Sequence, residues 1–266
     1  MNGTPEQPGP IALVGSGEYL TVMDEIDRGL LARVGGQSAR VVVLATAAGL
    51  EGPSSTRRWT SMGVDHFGRF GVQVAAADIF APADARDPRW LARLEAADFL
   101  YFSGGDPGHV VTSLENSPAW QVIQRRHQQG AAVAGCSAGA MAFGGLIPSQ
   151  RMFWSSVGSA AGPSATDLWR PALAIVPGVV VLPHFDRFNA RLGQTGLTRL
   201  LQSLPSGMTL IGIDEDTALV RLESGVWQVQ GRQTVSVLSG APGVFAAGDL
   251  VRLDDQVPRS TESRVG

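Results

Sequence analysis

Residues 130–145 constrain the fold more than any other stretch of the chain. An apolar run at 131–134 is typical of a buried parallel strand, and it continues through Gly135-Cys136-Ser137-Ala138-Gly139 into an Ala-rich helical segment. This Gly-x-Ser-x-Gly pattern favours a strained strand-to-helix turn that lifts the serine hydroxyl out of the sheet. The following helix points its free N–H groups to the same place. The stretch predicts an α/β fold with Ser137 as a candidate nucleophile; the alternative is a Gly-rich loop that only packs.

Strand and helix patterns alternate along most of the chain. Short apolar runs predict buried strands at residues 11–14, 40–45, 72–75, 99–102, 179–183 and 210–213. Apolar residues at helical spacing predict helices at 21–34, 53–70, 88–96, 118–129 and 197–204. This order predicts a doubly wound, mostly parallel α/β sheet flanked by helices.

The two ends of the chain and its last strands complete the predicted organisation. Alternating runs at 226–229 and 234–237, joined through Gly231, predict a C-terminal β-hairpin. We expect a disordered leader over residues 1–9, a single α/β domain over 10–255 and a flexible tail over 256–266. The Ser-, Gly- and Pro-rich segment 146–170 lacks periodicity and is interpreted as a partial lid over the site.

Composition excludes several classes of function. The 266 residues are 44% hydrophobic, enough for the core of one large α/β domain, and the net charge of −3 without a basic cluster argues against a nucleic-acid partner. No lysine occurs, which excludes a P-loop lysine, a Schiff base and a Ser–Lys dyad. The single cysteine, Cys136, excludes an intrachain disulfide and a Cys-based zinc site, and it is interpreted as a small packing residue.

No signal peptide or membrane-spanning run is visible in the sequence. We therefore expect a soluble cytoplasmic protein that has no membrane partner. The turn Gly15-Ser16-Gly17-Glu18 follows the first strand, but it lacks the Gly-x-Gly-x-x-Gly spacing of a dinucleotide site. His66 and His127 are interpreted as ordinary surface or packing residues.

Polar residues follow the predicted strands at their carboxyl ends. They are Gly104-Gly105-Asp106, Ser137, His184 and Asp214-Glu215-Asp216. Ligands of an open parallel sheet bind beyond this edge, so we expect these residues to share one crevice. Ser137 needs a base, for which His184 is the natural candidate.

Two further groups would complete such a site. The histidine needs a carboxylate to fix its tautomer, and the candidates by type are Glu215, Asp186, Asp214 and Asp216. The backbone N–H groups of Gly105 and Ala138 could form an oxyanion hole.

These motifs together resemble the serine peptidase family of aspartyl dipeptidase (peptidase E) and cyanophycinase, whose fold is related to class I glutamine amidotransferases. The matching stretches, in family order, are Gly104-Gly105-Asp106, residues 135–140, Pro183-His184-Phe185 and residues 212–218. The similarity spans roughly residues 10–240.

The resemblance implies a catalytic triad of Ser137, His184 and Glu215, with the oxyanion bound by the N–H groups of Gly105 and Ala138. It implies hydrolysis, through an acyl-enzyme, of a peptide or isopeptide bond next to aspartate in a dipeptide-sized or cyanophycin-like substrate. It further implies that no metal or cofactor is needed and that the chain forms a homodimer. In the related amidotransferases the acid lies two residues after the histidine, so Asp186 remains an alternative third member.

The sequence also departs from the family. Pro107 stands where members carry Gln or Asn, and Arg187 and Arg191 are not at the cyanophycinase spacing. These arginines are candidate ligands of a substrate carboxylate, or residues of a solvated helix face. Asp106 and Asp186 are further candidate substrate-binding residues.

Two other functions stay open at this level. The same triad could serve an esterase or amidase acting on another small molecule, which the loss of the amide side chain at Pro107 favours. A catalytically silent binding module of the same fold is the third reading. Covalent reaction of Ser137 with a serine-directed phosphonate distinguishes the enzymes from the binding module.

Overall fold

Strands and helices alternate through the computed structural model, which describes residues 7–149, 168–223 and 225–253. The described strands are β1 (Ile11–Val14), β2 (Arg40–Leu44), β3 (Gln73–Ala76), β4 (Phe99–Phe102), β5 (Ala132–Cys136), β6 (Leu146–Pro148), β7 (Trp169–Pro171), β8 (Val179–Leu182), β9 (Thr209–Ile213), β10 (Thr217–Glu223), β11 (Val226–Gly231), β12 (Thr234–Val237), β13 (Gly243–Ala246) and β14 (Leu250–Arg252). The described helices are α1 (Asp24–Arg33), α2 (Pro53–Gly68), α3 (Pro88–Glu95), α4 (Pro107–Leu114), α5 (Pro118–Gln128), α6 (Ala138–Phe143) and α7 (Phe185–Ser203), the last kinked at Gly193.

A mixed sheet lies at the centre of the fold and has the strand order β14-β11-β10-β1-β5-β4-β2-β3. Its β1, β5, β4, β2 and β3 are parallel neighbours, and β10, β11 and β14 extend it antiparallel beyond β1. Strands β1, β4 and β5 are buried over their whole length, as expected for parallel strands covered by helices on both faces. The predicted α/β class, with a large and mostly parallel sheet, is confirmed.

The apolar core lies on both faces of this sheet, and alternate residues of each strand enter different halves of it. Ile11 and Leu13 of β1 belong to one buried cluster, whereas Ala12 and Val14 belong to the other. This alternation follows from the two-residue period of a strand. A smaller cluster around Trp169, Leu182 and Phe185 packs α7 against a second sheet.

The second sheet has the order β13-β12-β9-β8 and supplies two polar ends to the site. Its β8 and β9 are parallel, while β12 and β13 extend it antiparallel. The carboxyl ends of β8 and β9 lead directly to His184 and to residues 214–216. A separate short sheet pairs β6 with β7, so regular structure exists at both ends of the segment 146–170.

The predicted pairing of residues 226–229 with 234–237 is wrong. These residues lie in different sheets: β11 pairs with β10, and β12 pairs with β9 and β13. The hydroxyl and N–H of Thr234 both donate to the Asp214 carboxylate, at 2.6 and 3.2 Å, which attaches the start of β12 to the end of β9. A C-terminal β-hairpin does exist, but β10 and β11 form it, because an alternating pattern identifies a strand without identifying its neighbour.

Two buried histidines have packing roles away from the strand ends. His66 of α2 lies 2.7 Å from the Asp27 carboxylate of α1, and both side chains are buried. Burial raises the pKa of the Asp27 carboxyl. His127, at the end of α5, contacts the Ala131 carbonyl through Nδ1 at 3.2 Å.

Several predicted segments fall on residues 1–6, 150–167 and 254–266, outside the described part of the chain. They are most of the leader, most of the proposed lid and the whole tail. Gly9, which is described, is buried and donates its N–H to the His127 carbonyl at 2.8 Å. Among the helices of the described ranges, none is both long and apolar enough to span a bilayer.

Candidate active site

Ser137 occupies a sharp turn between β5 and α6. Its φ of 50° and ψ of −109° are unfavourable for a residue with a side chain, and its N–H donates to the Val14 carbonyl at 2.9 Å. A Cβ atom on Gly135 would lie 2.5 Å from the Gly139 carbonyl carbon, and one on Gly139 would lie 2.8 Å from the Phe102 carbonyl oxygen. The turn therefore requires glycine on both sides of the serine.

His184 lies between β8 and α7 and faces the serine. Its backbone is in the left-handed region, with φ of 49° and ψ of 39°. The Ser137 Oγ atom lies 3.0 Å from His184 Nε2, and His184 Nδ1 lies 2.8 Å from Glu215 Oε1. The imidazole is 41% exposed and the Glu215 side chain 17% exposed. This arrangement can pass a proton from the hydroxyl to an imidazole that a carboxylate orients.

Two residues of the first turn of α7 hold Glu215 in place. Arg187 Nη2 lies 2.7 Å from Glu215 Oε2, the oxygen that His184 leaves free. The Glu215 N–H donates to Asp186 Oδ1 at 3.1 Å. The carboxylate that faces His184 is therefore that of Glu215, and Asp186 contacts only the backbone of Glu215 within this group.

The remaining acidic candidates have other partners. Asp214 accepts hydrogen bonds from Thr234, and Asp216 lies 3.8 Å from Arg232. Neither contact includes the imidazole of His184.

The Gly104-Gly105 turn follows β4 and lies against Ser137. A Cβ atom on Gly104 would be 3.3 Å from Ser137 Cβ, and one on Gly105 would be 2.4 Å from the Ala47 carbonyl oxygen. Gly105 is exposed and has a φ of 139°, a conformation that favours glycine. Within the described residues, the N–H groups of Gly105 and Ala138 have no hydrogen-bond acceptor. Nothing in the described ranges blocks either N–H group from binding an oxygen anion.

The predicted substrate-binding residues have contacts of their own. Asp106 caps α4 by accepting the His109 N–H at 2.7 Å, and Asp186 and Arg187 contact Glu215. The side chain of Arg191 lies outside the described part of the structure. Contact of these four residues with a substrate stays a prediction.

Glu18 is a site residue that the sequence patterns did not reveal. Its Oε1 accepts the Gly104 N–H at 2.9 Å, and its Oε2 lies 3.0 Å from Cys136 Sγ. At the level of sequence, its loop was compared only with the Gly-x-Gly-x-x-Gly spacing of a dinucleotide site. The signal in the sequence was a carboxylate in the loop after β1. A parallel sheet can place β1 beside β5, the strand that leads to Ser137.

Cys136 precedes the candidate nucleophile and is completely buried. Burial raises the pKa of its thiol well above the usual range, and the nearby Glu18 carboxylate raises it further. The thiol is therefore protonated near neutral pH and unsuited to nucleophilic attack. Among the residues described, no group of three or more His, Cys, Asp or Glu side chains could hold a metal ion.

Comparison with known proteins gives consistent matches over most of the chain. A model of peptidase family S51 matches residues 11–229. A cyanophycinase of Synechococcus elongatus is 31% identical over 79% of this chain and 68% of its own length. A cyanophycinase of Trichormus variabilis is 27% identical over 86% of this chain and 72% of its own length. The crystal structure of a peptidase from an acI-B1 actinobacterium superposes with a TM-score of 0.82 at 30% identity, covering 94% of this chain and 99% of that one. A putative peptidase E protein from Listeria monocytogenes shares the fold, with a TM-score of 0.54 at 17% identity over 80% of this chain and 94% of that one.

Proposed function

The chain belongs to peptidase family S51 and is a serine peptidase, and from this premise we propose that it cleaves a peptide or isopeptide bond next to aspartate. The substrate would be dipeptide-sized or cyanophycin-like. The observation that carries the proposal is the contact chain from Ser137 Oγ to His184 Nε2 and from His184 Nδ1 to Glu215, at 3.0 and 2.8 Å. The cyanophycinases that the chain resembles support the substrate class.

Acylation begins at Ser137. Its Oγ attacks the scissile carbonyl carbon while His184 Nε2 takes the hydroxyl proton, and Glu215 stabilises the imidazolium that results. The imidazolium then gives this proton to the leaving amine. The C–N bond breaks, and the acyl group stays on Ser137 as an ester.

The negative charge that develops on the carbonyl oxygen needs donors that are already in place. The free N–H groups of Gly105 and Ala138 are the proposed donors, and one such donor contributes roughly 10²–10³ to kcat. In the second half of the reaction His184 Nε2 takes a proton from a water molecule as its oxygen attacks the ester carbon. The ester bond to Ser137 Oγ then breaks, His184 returns the proton to Oγ, and the carboxylic acid product leaves.

Recognition of an aspartate carboxylate needs a cation beside this machinery. Arg187 is 68% exposed although one of its nitrogens contacts Glu215, and a guanidinium carries further donors on its other nitrogens. We propose that these donors, together with Arg191, bind the substrate carboxylate. Asp106 and Asp186 are proposed to bind the substrate amine.

A dipeptide panel tests the proposed activity. Amine release is measured from α- and β-aspartyl dipeptides, including β-Asp-Arg, with Ser137→Ala as the control. We expect turnover of at least one aspartyl member and none in the variant. If no member turns over while a phosphonate still labels Ser137, the substrate is a different small amide or ester. Turnover that persists in Ser137→Ala contradicts the proposed nucleophile.

We also propose a cytoplasmic location and a homodimeric state. The first suits an enzyme for dipeptide-sized substrates, and the second is an expectation from the family. Cell fractionation tests the location, and light scattering coupled to size-exclusion chromatography tests the oligomeric state.

A further inference from the structure

Glu18 lies between the two backbone segments that carry the proposed oxyanion donors. Its Oε1 accepts the N–H of Gly104, the residue before Gly105, at 2.9 Å. Its Oε2 accepts the S–H of Cys136, the residue before Ser137, at 3.0 Å. One half-buried carboxylate thus connects the glycine turn (Gly104-Gly105) with the elbow, the strand-to-helix turn at Ser137. Glu18 is 86 residues from Gly104 and 118 residues from Cys136 in sequence.

The glycine turn is anchored on both sides of its free donor. The Gly104 N–H is held by Glu18, and the Asp106 N–H donates to the Ala47 carbonyl at 2.9 Å. Between them, the Gly105 N–H has no acceptor among the described residues. Two consecutive glycines have wide backbone freedom, so the direction of this N–H depends on the two anchors. Glu18 supplies one of them.

The second contact of Glu18 gives Cys136 a role beyond packing. Cys136 pairs in register with Val14 of β1, so the loop that follows β1 returns over the end of β5 and brings Glu18 to the thiol. The thiol is fully buried, and burial raises its pKa, so it keeps its proton and donates to the carboxylate. This contact connects the residue before Ser137 to the same carboxylate that holds the Gly104 N–H.

The contacts of Glu18 do not suit a proton carrier. Both of its oxygens face donors that take no part in bond cleavage, the Gly104 N–H and the Cys136 S–H. The position on His184 Nδ1 that a triad acid needs is occupied by Glu215.

We propose that Glu18 is a positioning residue, which holds the Gly105 and Ala138 N–H groups so that both meet the oxyanion in the transition state. The inference rests on the proposed function, because it requires Ser137 to be the nucleophile. Loss of the carboxylate should therefore impair kcat and the phosphonylation of Ser137, since both reactions use the oxyanion hole. Substrate affinity should change little.

The test compares Glu18→Ala and Glu18→Gln, with Glu25→Ala as the matched control because Glu25 is exposed on α1. We expect Glu18→Ala to lower kcat and the labelling rate about 30- to 100-fold with KM within about twofold, a smaller loss than the removal of one oxyanion donor because both N–H groups remain and are only displaced. Glu18→Gln keeps a carbonyl acceptor for the Gly104 N–H and should recover to within about tenfold of the parent protein. Glu25→Ala should match the parent.

Several outcomes would overturn the inference. The inference is overturned if a folded Glu18→Ala protein keeps kcat and the labelling rate within about threefold of the parent. It is also overturned if only KM changes in this variant. If Glu18→Ala does not fold, Glu18→Gln and Cys136→Ala decide: parental labelling rates in both overturn the inference, whereas a loss in Cys136→Ala that Cys136→Ser restores supports it.

If the parent is labelled but cleaves no aspartyl dipeptide, the proposed substrate is wrong, and the labelling rates still test the role of Glu18. If the parent is not labelled at all, Ser137 is not the nucleophile and both proposals fall.

Discussion

Ser137 adopts a backbone conformation that residues with a side chain normally avoid, and its neighbours hold it there. The Ser137 N–H donates a hydrogen bond to the Val14 carbonyl, and Gly135 lies close to Gly139, so the turn has no space to relax. Such strain of roughly 1–3 kcal/mol persists only where the surrounding structure over-determines it. At the scale of single residues, the site is therefore defined as much by small side chains as by reactive ones.

The glycine after the nucleophile gives a direct test of this strain. Gly139→Ala places a Cβ atom 2.8 Å from the Phe102 carbonyl oxygen, so the elbow must move. We expect kcat to fall by about 100-fold or more, because displacements near 1 Å cost catalysis this much. In the matched control, Gly29→Ala in α1, the new Cβ meets nothing within 4 Å, and we expect unchanged activity and about 0.5–1 kcal/mol of added stability. Full activity in Gly139→Ala contradicts the account.

Cys136 provides a second test at this scale. Because the thiol is buried and its pKa is raised, we expect native protein to react with an aromatic disulfide reagent only after unfolding. Thiol titration in buffer and in denaturant measures this. Rapid stoichiometric reaction of the native protein would show an accessible thiolate and would leave Glu18 without its proposed donor.

At the scale of elements, the N-terminal turn of α7 organises the acid half of the site. His184 starts the helix in a left-handed conformation, and Asp186 and Arg187 then reach Glu215 at the end of β9. The two strands that lead to His184 and Glu215 are parallel neighbours in the second sheet. One helix turn and one strand pair therefore set the distance between base and acid.

The contact of Arg187 with Glu215 can be removed without disturbing the fold. Arg187 is 68% exposed although Glu215 is only 17% exposed, and an ion pair with one exposed partner contributes little to stability, so Arg187→Met should unfold at nearly the same temperature as the parent protein. We expect kcat to fall by roughly three- to tenfold because Glu215 loses the partner of its second oxygen, and we expect KM to rise because the proposed donors to the substrate carboxylate are lost as well. Arg89→Met is the matched control, since Arg89 is 74% exposed and pairs with Asp87 in an unrelated turn. A change in KM alone would assign Arg187 to the substrate and not to Glu215.

Local sequence patterns predicted the arrangement of strands and helices only in part. The elbow, the strand ends and the nature of the residues there follow from residues 130–145 and from the apolar runs, because these features depend on neighbours in sequence. The partner of β12 and the role of Glu18 depend on which strands become adjacent in space, and periodicity carries no information on that. Asp186 and Glu215 were likewise equivalent by residue type; the family resemblance favoured Glu215, and the placement of the two residues around His184 distinguishes them in the structure.

At the scale of the whole molecule, the two ends of the main sheet serve different purposes. The carboxyl ends of the parallel strands carry the candidate site, as expected for an open α/β sheet. Near the opposite end of the sheet, His127 is buried between the Ala131 carbonyl and Arg221 of β10, and its pKa is lowered to about 4, mainly by burial. This end of the molecule couples proton binding to folding.

The lowered pKa of His127 predicts acid sensitivity of the fold. The unfolded state binds the proton near pH 6.5 and the folded state near pH 4, so stability is complete above the higher value and declines as the pH falls between the two. From about pH 7.5 to about pH 5 we expect His127 to account for about 2 kcal/mol of lost unfolding free energy. Urea unfolding at both pH values should show this loss in the parent protein and a clearly smaller one in His127→Asn. Equal losses in the two proteins contradict the assignment.

Activation of Ser137 by His184 and Glu215 is tested by intact-mass analysis with peptide mapping after reaction with a serine-directed phosphonate. We predict a single adduct on Ser137 in the parent protein, no adduct in Ser137→Ala, and labelling slowed by roughly 10³-fold in His184→Ala. An adduct on another residue, or labelling of Ser137 at the parental rate without His184, would contradict it.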